Sequence, residues 1–289
     1  MLDEWSKSSH DHRDRLGSVA SIDGPARLRG ARAIKRGDAK SLGRPLSQET
    51  APALEGLGYD LKVSIDGDAH HHGASETLTV SCHGLANTHI DALNHFGVDG
   101  RWYSGWRIDD PTAPDTVDLA TAGLVTRGVV VDVPRHRGEP YVAPDNPVTA
   151  AEIDDIIAAS GLTFEPGDAL VLYMGRDVWE REGRGYFSGP DPWSESRPGV
   201  GRDGARWLVE HSPSMLLWDF MDANIPDVEP RHAVHHLIWA TGLVLVDNCD
   251  LGPLAAVLAR LQVAEILVSV APVAVPRGTG AVVSPLAAW

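Results

Sequence analysis

The sequence predicts an α/β fold, because short apolar strands alternate with helical segments through the second half of the chain. Thr149-Ala-Ala-Glu152 is a capping box that predicts the start of a helix, with Ile153, Ile156 and Ile157 on one face. Further helices are predicted at 199–211 and near 231–239. The predicted strands of this half are 129–133, 169–174, 214–219, 243–247 and 266–272.

The first half is more polar at its start. Residues 1–50 mix acidic and basic side chains and are predicted to form an N-terminal extension, with a helix over 25–39. The alternating pattern of 61–65 predicts a half-buried strand, and 77–82 predicts a second strand. Because no repeat, low-complexity segment or linker interrupts the remainder, residues 51–289 are predicted to be a single catalytic domain.

Composition excludes several classes of function. The chain has 289 residues and a formal net charge of −15, which argues against nucleic acid and against an anionic membrane surface. Two cysteines, Cys82 and Cys249, are too few for a disulfide framework. No signal peptide pattern and no apolar run of about 18 residues is found, so we expect a cytoplasmic protein that acts on a small molecule.

One stretch of the sequence is rich in groups that bind metal ions. Residues 83–95 contain His83, His89, Asp91 and His95. On a strand, His89 and Asp91 point the same way and can both face one ion, while His95 is able to approach from another direction. The alternatives are a histidine-rich surface and buried histidines that are hydrogen-bonded in the core.

Two loops near this stretch carry further polar or aromatic groups. Three consecutive histidines cannot all face one ion, so His70, His71 and His72 are predicted to lie on a surface loop over 66–75, with one of them still able to reach the site. Trp102, Tyr103 and Trp106 lie among glycines and indicate a loop that lines a pocket; a packed surface loop is the alternative.

The second half of the chain adds candidates near predicted strand ends, where sites of α/β folds usually lie. Spacing alone does not choose among them, and each one singly is more often a helix-end or turn residue. The candidates are His232, His235, His236, Asp247 and Asp250.

Residues 88–95, Thr-His-Ile-Asp-Ala-Leu-Asn-His, resemble the signature His-x-Gly-Thr-His-x-Asp-x-x-x-His of the metal-dependent cyclase family, which includes bacterial kynurenine formamidases and isatin hydrolases. The resemblance extends over most of the chain, and the long N-terminal part is similar to the long members of that family. The other matching segments are 126–132, 198–207, 216–219, 235 with 242–251, and 278–285.

The resemblance implies a swivelling β/β/α fold, with a mixed barrel-like sheet and surrounding helices. It implies that Asp91 is a metal ligand able to bridge two ions and that His95 is the general acid and base. The further ligands that it implies are His89, His235 and Asp247. Two positions depart from the family pattern: Leu85 occupies the place of the first ligand, with His83 two residues earlier as its replacement, and Asp247 stands where the family usually has Glu.

The function implied is a metal-dependent hydrolase of an amide, lactam or related carbonyl, with N-formylkynurenine and isatin as model substrates. The ligand types suit Zn or Mn, and also Fe. The alternatives are a metal-dependent cyclase or dehydratase of a small carbonyl metabolite and a non-catalytic binding protein on the same scaffold. Family resemblance further predicts a homodimer or homotetramer.

Overall fold

The computed structural model describes residues 14–46, 58–184, 196–224 and 232–289. In these ranges the α-helices are α1 (Gly24–Ala33), α2 (Thr116–Ala122), α3 (Val133–Arg137), α4 (Ala150–Ala159), α5 (Arg176–Arg181), α6 (Arg202–His211), α7 (His236–Thr241) and α8 (Gly252–Leu261). The strands are β1 (Ala39–Ser41), β2 (Tyr59–Gly67), β3 (His72–Val80), β4 (His89–Asp91), β5 (Leu124–Asp132), β6 (Ala169–Tyr173), β7 (Leu216–Trp218), β8 (Leu245–Asp247), β9 (Glu265–Val270), β10 (Gly280–Val282) and β11 (Leu286–Ala288).

Nine of these strands form one curled, mixed sheet in the order β1-β11-β9-β5-β6-β7-β8-β4-β10. Strands β5, β6, β7 and β8 run parallel to one another. Strand β4 joins the far side of β8 in the antiparallel direction, and β10 joins β4 likewise. The predicted mixed, barrel-like sheet with surrounding helices is therefore confirmed.

The parallel strands form the centre of the core because apolar side chains cover both of their faces. All five residues of β6 are buried, and the large side chains of Trp207, Trp218 and Phe220 are fully enclosed. The capping box of α4 is present, since Thr149 and Glu152 each accept a backbone N–H of the other. None of the described helices is both long and apolar enough to cross a lipid bilayer.

Residues 14–46 pack onto the sheet. Helix α1 lies against β5 and β9, and β1 pairs with β11 at the edge of the nine-stranded sheet. The helix predicted over 25–39 ends at Ala33, because Arg36 and Asp38 donate backbone hydrogen bonds to Trp289 and lead the chain into β1. The predicted boundary at residue 50 falls within 47–57, outside the described residues.

Strands β2 and β3 form a separate two-stranded ribbon. The prediction of a half-buried strand at 61–65 was wrong, because the ribbon projects from the body: Leu61 is 47% exposed and Ile65 is 69% exposed. Strand β3 also begins at His72, inside the predicted loop 66–75. His70, His71 and His72 are exposed at the turn of the ribbon, as predicted.

Candidate metal centre

The first part of the site is built on β4. His89 and Asp91 are two residues apart on this strand, so their side chains project from the same face of the sheet. His89 lies directly opposite Asp247 of β8, and Asp91 lies opposite Gly280 of β10. His89 and Asp91 are each 1% exposed, and Asp247 is fully buried. The sheet therefore brings two carboxylates and an imidazole together in its interior.

The second part of the site comes from the end of β8 and the turn before α7. Asp247 Oδ1 accepts a hydrogen bond of 2.5 Å from the indole N–H of Trp218. Its other oxygen, Oδ2, lies 3.3 Å from His235 Nε2 and 3.9 Å from His89 Nε2. His235 Nε2 also lies 3.7 Å from Asp91 Oδ2. Trp218 thus fixes Asp247 with one oxygen turned toward the histidines.

His83 joins this group from the loop between β3 and β4. Its Nδ1 lies 3.0 Å from Asp91 Oδ1, and its Nε2 is 2.9 Å from the hydroxyl of Thr279. A Cβ at Gly280 would lie 2.5 Å from the His83 ring, so glycine leaves the space that this ring occupies. Leu85, at the family position of the first ligand, packs against the hydrophobic core. The geometry places His83, and not Leu85, beside Asp91.

His95 lies at the open side of the group. Its ring stacks on His83, with centroids 3.9 Å apart and planes inclined by 13°. Its Nε2 is 3.8 Å from Asp91 Oδ2, and its side chain is 26% exposed. An imidazole that is held close to the carboxylates and still reaches solvent is suited to exchanging a proton with a bound molecule.

The arrangement fits a divalent cation. Both oxygens of Asp91 and Oδ2 of Asp247 are buried and have no hydrogen-bond partner. His89 Nδ1 hydrogen-bonds to the carbonyl of Asn87 at 2.9 Å, which directs its Nε2 toward Asp91. Ligand atoms of His89, Asp91 and Asp247 lie within 4.8 Å of one another, as do those of His83, Asp91 and His95. Buried, unpartnered carboxylate oxygens beside oriented imidazoles are what a cation would satisfy.

The charged groups of the cluster shift one another's pKa values. Burial works to raise the pKa of Asp91, but His95, His83 and His89 together hold it well below its usual range. Burial works to lower the pKa of His83, yet Asp91 and Cys82 raise it to about 10. For His235, burial also works to lower the pKa, but Asp222 and Asp247 raise it well above its ordinary value. Protons thus balance the carboxylates here, and a bound cation would displace them.

At His95 the net pKa shift is downward. Burial is the largest cause, and the neighbouring His83 and His235 lower the pKa further. Although Asp91 opposes them, the pKa of His95 falls to about 4. The ring is therefore neutral near pH 7, which is the form that accepts a proton.

The other candidates from the second half lie outside the central group. His232 lies near Asp222 and His235, whereas the His236 ring packs against Phe96 and Trp239. Asp250 hydrogen-bonds through its backbone to Leu42.

Of the three aromatics predicted to line a pocket, Trp102 lines a cavity of about 260 Å³ together with Asn94 and Thr279. Tyr103 instead donates a hydrogen bond to Asp14, and Arg15 lies over the ring of Trp106. These two aromatics hold the N-terminal part of the described chain against the body.

Sequence reasoning missed several residues that support the site. Asn248 donates to the carbonyls of Gly84 and Asn87 and accepts from buried Arg176, which also donates to the carbonyl of Leu85. These bonds fix the loop that carries His83 into β4. Asn248 adopts a left-handed backbone conformation with φ of 56°, and an Asn directly after the predicted ligand Asp247 was the available signal.

Comparison with known proteins places the chain in a family. The family model described as "Putative cyclase" matches residues 41–224, which is more than half of the chain. The chain belongs to this cyclase family.

Solved structures show the same fold. A crystal structure of a novel cyclase superposes with a TM-score of 0.81 at 20% identity, covering 96% of this chain and 97% of that one. An isatin hydrolase bound to the product analogue thioisatinate superposes with a TM-score of 0.63 at 17% identity, covering 92% and 98%. A potential metal-dependent hydrolase with cyclase activity gives 0.53 at 15% identity, covering 86% and 98%. No curated protein matches the chain.

Proposed function

We propose that this protein is a metal-dependent hydrolase that opens the C–N bond of an amide, a lactam or a related carbonyl compound. The proposal rests on the surroundings of Asp91. Its carboxylate is buried, neither oxygen has a hydrogen-bond partner, and nitrogens of His83, His89, His95 and His235 lie between 3.0 and 3.8 Å from it. Four imidazoles around one buried carboxylate provide more ligand nitrogens than a single ion pair uses, and together they match the ligand types of a divalent cation site.

We assign the cation to His83 Nδ1, His89 Nε2, His235 Nε2, Asp91 and Asp247. When bound, a divalent ion there supplies Lewis acidity to a water molecule and to a carbonyl oxygen. Asp91 would hold the ion through its two oxygens, of which Oδ1 faces His83 and His89 and Oδ2 faces His95 and His235. Imidazole and carboxylate ligands without thiolate suit Zn or Mn, and also Fe.

His95 is the proton carrier of the proposed reaction. Its neutral ring accepts a proton from the attacking water as the water oxygen bonds to the carbonyl carbon. The same ring then returns this proton to the leaving nitrogen as the C–N bond breaks. Water is consumed, and the products are a carboxylic acid and an amine, which remain joined when the substrate is a lactam.

The substrate is proposed to carry an aryl ring, as N-formylkynurenine and isatin do. The support is Trp102, whose flat side chain lines the cavity next to the site, with Asn94 beside His95 and Thr279 bonded to His83. Aromatic rings stack favourably on such a side chain. The isatin hydrolase likeness agrees with this class, although at 17% identity it shows only a shared fold.

Product mass tests the reaction class. The metal-loaded protein is incubated with N-formylkynurenine, isatin and simple aryl amides, and the products are weighed by mass spectrometry. Hydrolysis adds one water to isatin and splits the formyl group from N-formylkynurenine. If a carbonyl substrate instead loses water or closes a ring without a mass change, the dehydratase or cyclase alternative replaces the hydrolase.

The predicted homodimer or homotetramer stays a prediction.

A further inference from the structure

We infer that Asp222 is a positioning residue for the metal centre, because it sets which nitrogen of His235 carries the proton. The inference rests on the proposed metal site and adds a residue that neither the sequence motif nor the family signature contains. Asp222 lies well before His235 in the chain and is 4% exposed.

Both oxygens of Asp222 are used by neighbouring donors. Oδ1 accepts the backbone N–H of Val234 at 2.6 Å, and Oδ2 accepts the Nδ1–H of His235. A proton held on Nδ1 leaves the lone pair of the neutral ring on Nε2. That nitrogen faces Asp247 Oδ2 at 3.3 Å and Asp91 Oδ2 at 3.7 Å, where the cation is assigned. A carboxylate that orients a ligand histidine in this way also makes it a better ligand.

The backbone around Asp222 is held in place before any ion binds. Val200 N–H donates to the carbonyl of Met221, and Ala223 N–H donates to the carbonyl of Val200, so Asp222 sits in a short parallel bridge with Val200. Gly199, next to Val200, allows the two backbone segments to lie this close, since a Cβ at Gly199 would lie 2.0 Å from the Met221 oxygen. The orienting carboxylate is thus fixed by the main chain on both sides.

The neighbouring His232 raises an alternative. Ligand atoms of Asp222, His232 and His235 lie within 4.8 Å of one another, so these three side chains have the spacing of a second cation site. Asp222 Oδ2 accepts the Nδ1–H of His235, so the His235 nitrogen next to Asp222 carries a proton, and the other nitrogen faces Asp91 and Asp247. We therefore assign Asp222 to orientation and not to coordination.

The Asp222→Asn variant separates these roles. An asparagine has one acceptor oxygen, and when that oxygen accepts Val234 N–H, its NH₂ group faces His235 Nδ1. A donor in that place requires a lone pair on Nδ1 and moves the ring proton to Nε2, where it blocks coordination. We expect Zn²⁺ affinity, measured by competition with a chromophoric chelator, to fall about 10- to 100-fold.

Two control variants complete the experiment. Asp168→Asn removes another buried charge, one that pairs with Arg29 and Arg127 and with none of the assigned ligands. It should lower thermal stability and leave Zn²⁺ affinity unchanged. His232→Ala should likewise leave affinity and stoichiometry unchanged, and an equal loss in this variant would mean that the cluster coordinates an ion.

A spectroscopic readout distinguishes orientation from a general loss of structure. In the Zn²⁺-loaded wild-type protein, ¹⁵N NMR should show a hydrogen-bonded Nδ1–H on His235, assigned by its loss in His235→Gln, and Asp222→Asn should lack it. Unchanged Zn²⁺ affinity and an unchanged Nδ1–H signal in Asp222→Asn would overturn the inference. If the wild-type protein binds no Zn²⁺, Mn²⁺ or Fe²⁺, the proposed function itself fails, and this outcome is distinct from the first.

Discussion

His89 and Asp247 face each other across the antiparallel pair of β4 and β8, with His89 Nε2 3.9 Å from Asp247 Oδ2. The two residues lie far apart in the sequence and belong to separate motifs. Because strand register fixes this pairing, the two halves of the site are held by the backbone of the sheet. A one-residue shift of β4 would turn both His89 and Asp91 to the opposite face.

Cation binding should stabilise the folded protein. The unpartnered oxygens of Asp91 and Asp247 are buried in the fold, and an ion that satisfies them binds the native state in preference to the unfolded chain. At a free ion concentration 100 times Kd, the gain is about 2.7 kcal/mol. Thermal unfolding before and after chelation measures it. The Asp91→Asn variant should respond much less, and an equal response in both proteins would contradict the assignment of Asp91.

In the family pattern the first metal ligand stands where this chain has Leu85. We expect His83 to serve as that ligand here. Its Nδ1 is 3.0 Å from Asp91, whereas the partly buried Leu85 packs against the hydrophobic core, so His83→Ala should lower metal affinity about tenfold or more. The matched control is His72→Ala, which removes an exposed imidazole from the ribbon turn. Equal affinities of His83→Ala and the wild type, measured by chelator competition, would remove His83 from the ligand set.

Gly280→Ala offers an independent test of the same contact. The added methyl would lie 2.5 Å from the His83 ring and 2.7 Å from the backbone oxygen of Ile90, so it would displace His83 and also press on the strand that carries His89 and Asp91. We expect weaker metal binding without unfolding, measured by chelator competition alongside circular dichroism. Gly73→Ala, in the open ribbon, is the control, since nothing lies within 4 Å of its added Cβ. Wild-type affinity in Gly280→Ala would show that the site tolerates a displaced His83.

His95 should carry the proton without holding the ion. Replacing it by Ala removes the base and leaves the five assigned ligands, so turnover should fall about 10²- to 10⁴-fold while metal content is unchanged. Turnover and metal content are measured on the same sample, by a kinetic assay and by elemental analysis. Full turnover in the variant would rule out the assigned role.

The protonation of His95 in the metal-free protein should reflect its low pKa. Burial and the neighbouring imidazoles lower this pKa to about 4, so the ring stays neutral, and able to accept a proton, well below the usual range of histidine. In an NMR titration of the metal-free protein, the His95 ring signals, assigned by their loss in His95→Ala, should stay those of a neutral ring from pH 8 to pH 6 and change only as the pH approaches 4. A titration midpoint near pH 6.5 would contradict the low pKa.

The sequence predicted the parts of the fold and site that local pattern controls. The apolar runs of β5 to β9 and the capping box at Thr149 were read correctly, and the spacing of His89 and Asp91 placed both on one face of a strand. The strand pattern of Leu61 to Ile65 was read correctly as a strand and wrongly as half-buried, because alternation does not show whether another element covers the apolar face.

The rest of the site depends on contacts between distant segments, which spacing does not reveal. Asp222 meets His235, Trp218 meets Asp247, and Arg176 meets Leu85 only after the strands have paired. Tyr103 and Trp106 show the same limit, since their sequence context resembles a pocket wall while their actual partners are Asp14 and Arg15.

We propose that hydrolysis requires a divalent ion held by His83, His89, Asp91, His235 and Asp247. The most direct test is elemental mass spectrometry of the purified protein, before and after chelation, with turnover of N-formylkynurenine, isatin and aryl amides assayed on each sample. The account predicts stoichiometric Zn, Mn or Fe, loss of turnover when it is removed, and recovery when it is restored. Turnover that persists in metal-free protein, or a protein that binds no ion when all three are supplied, would contradict it.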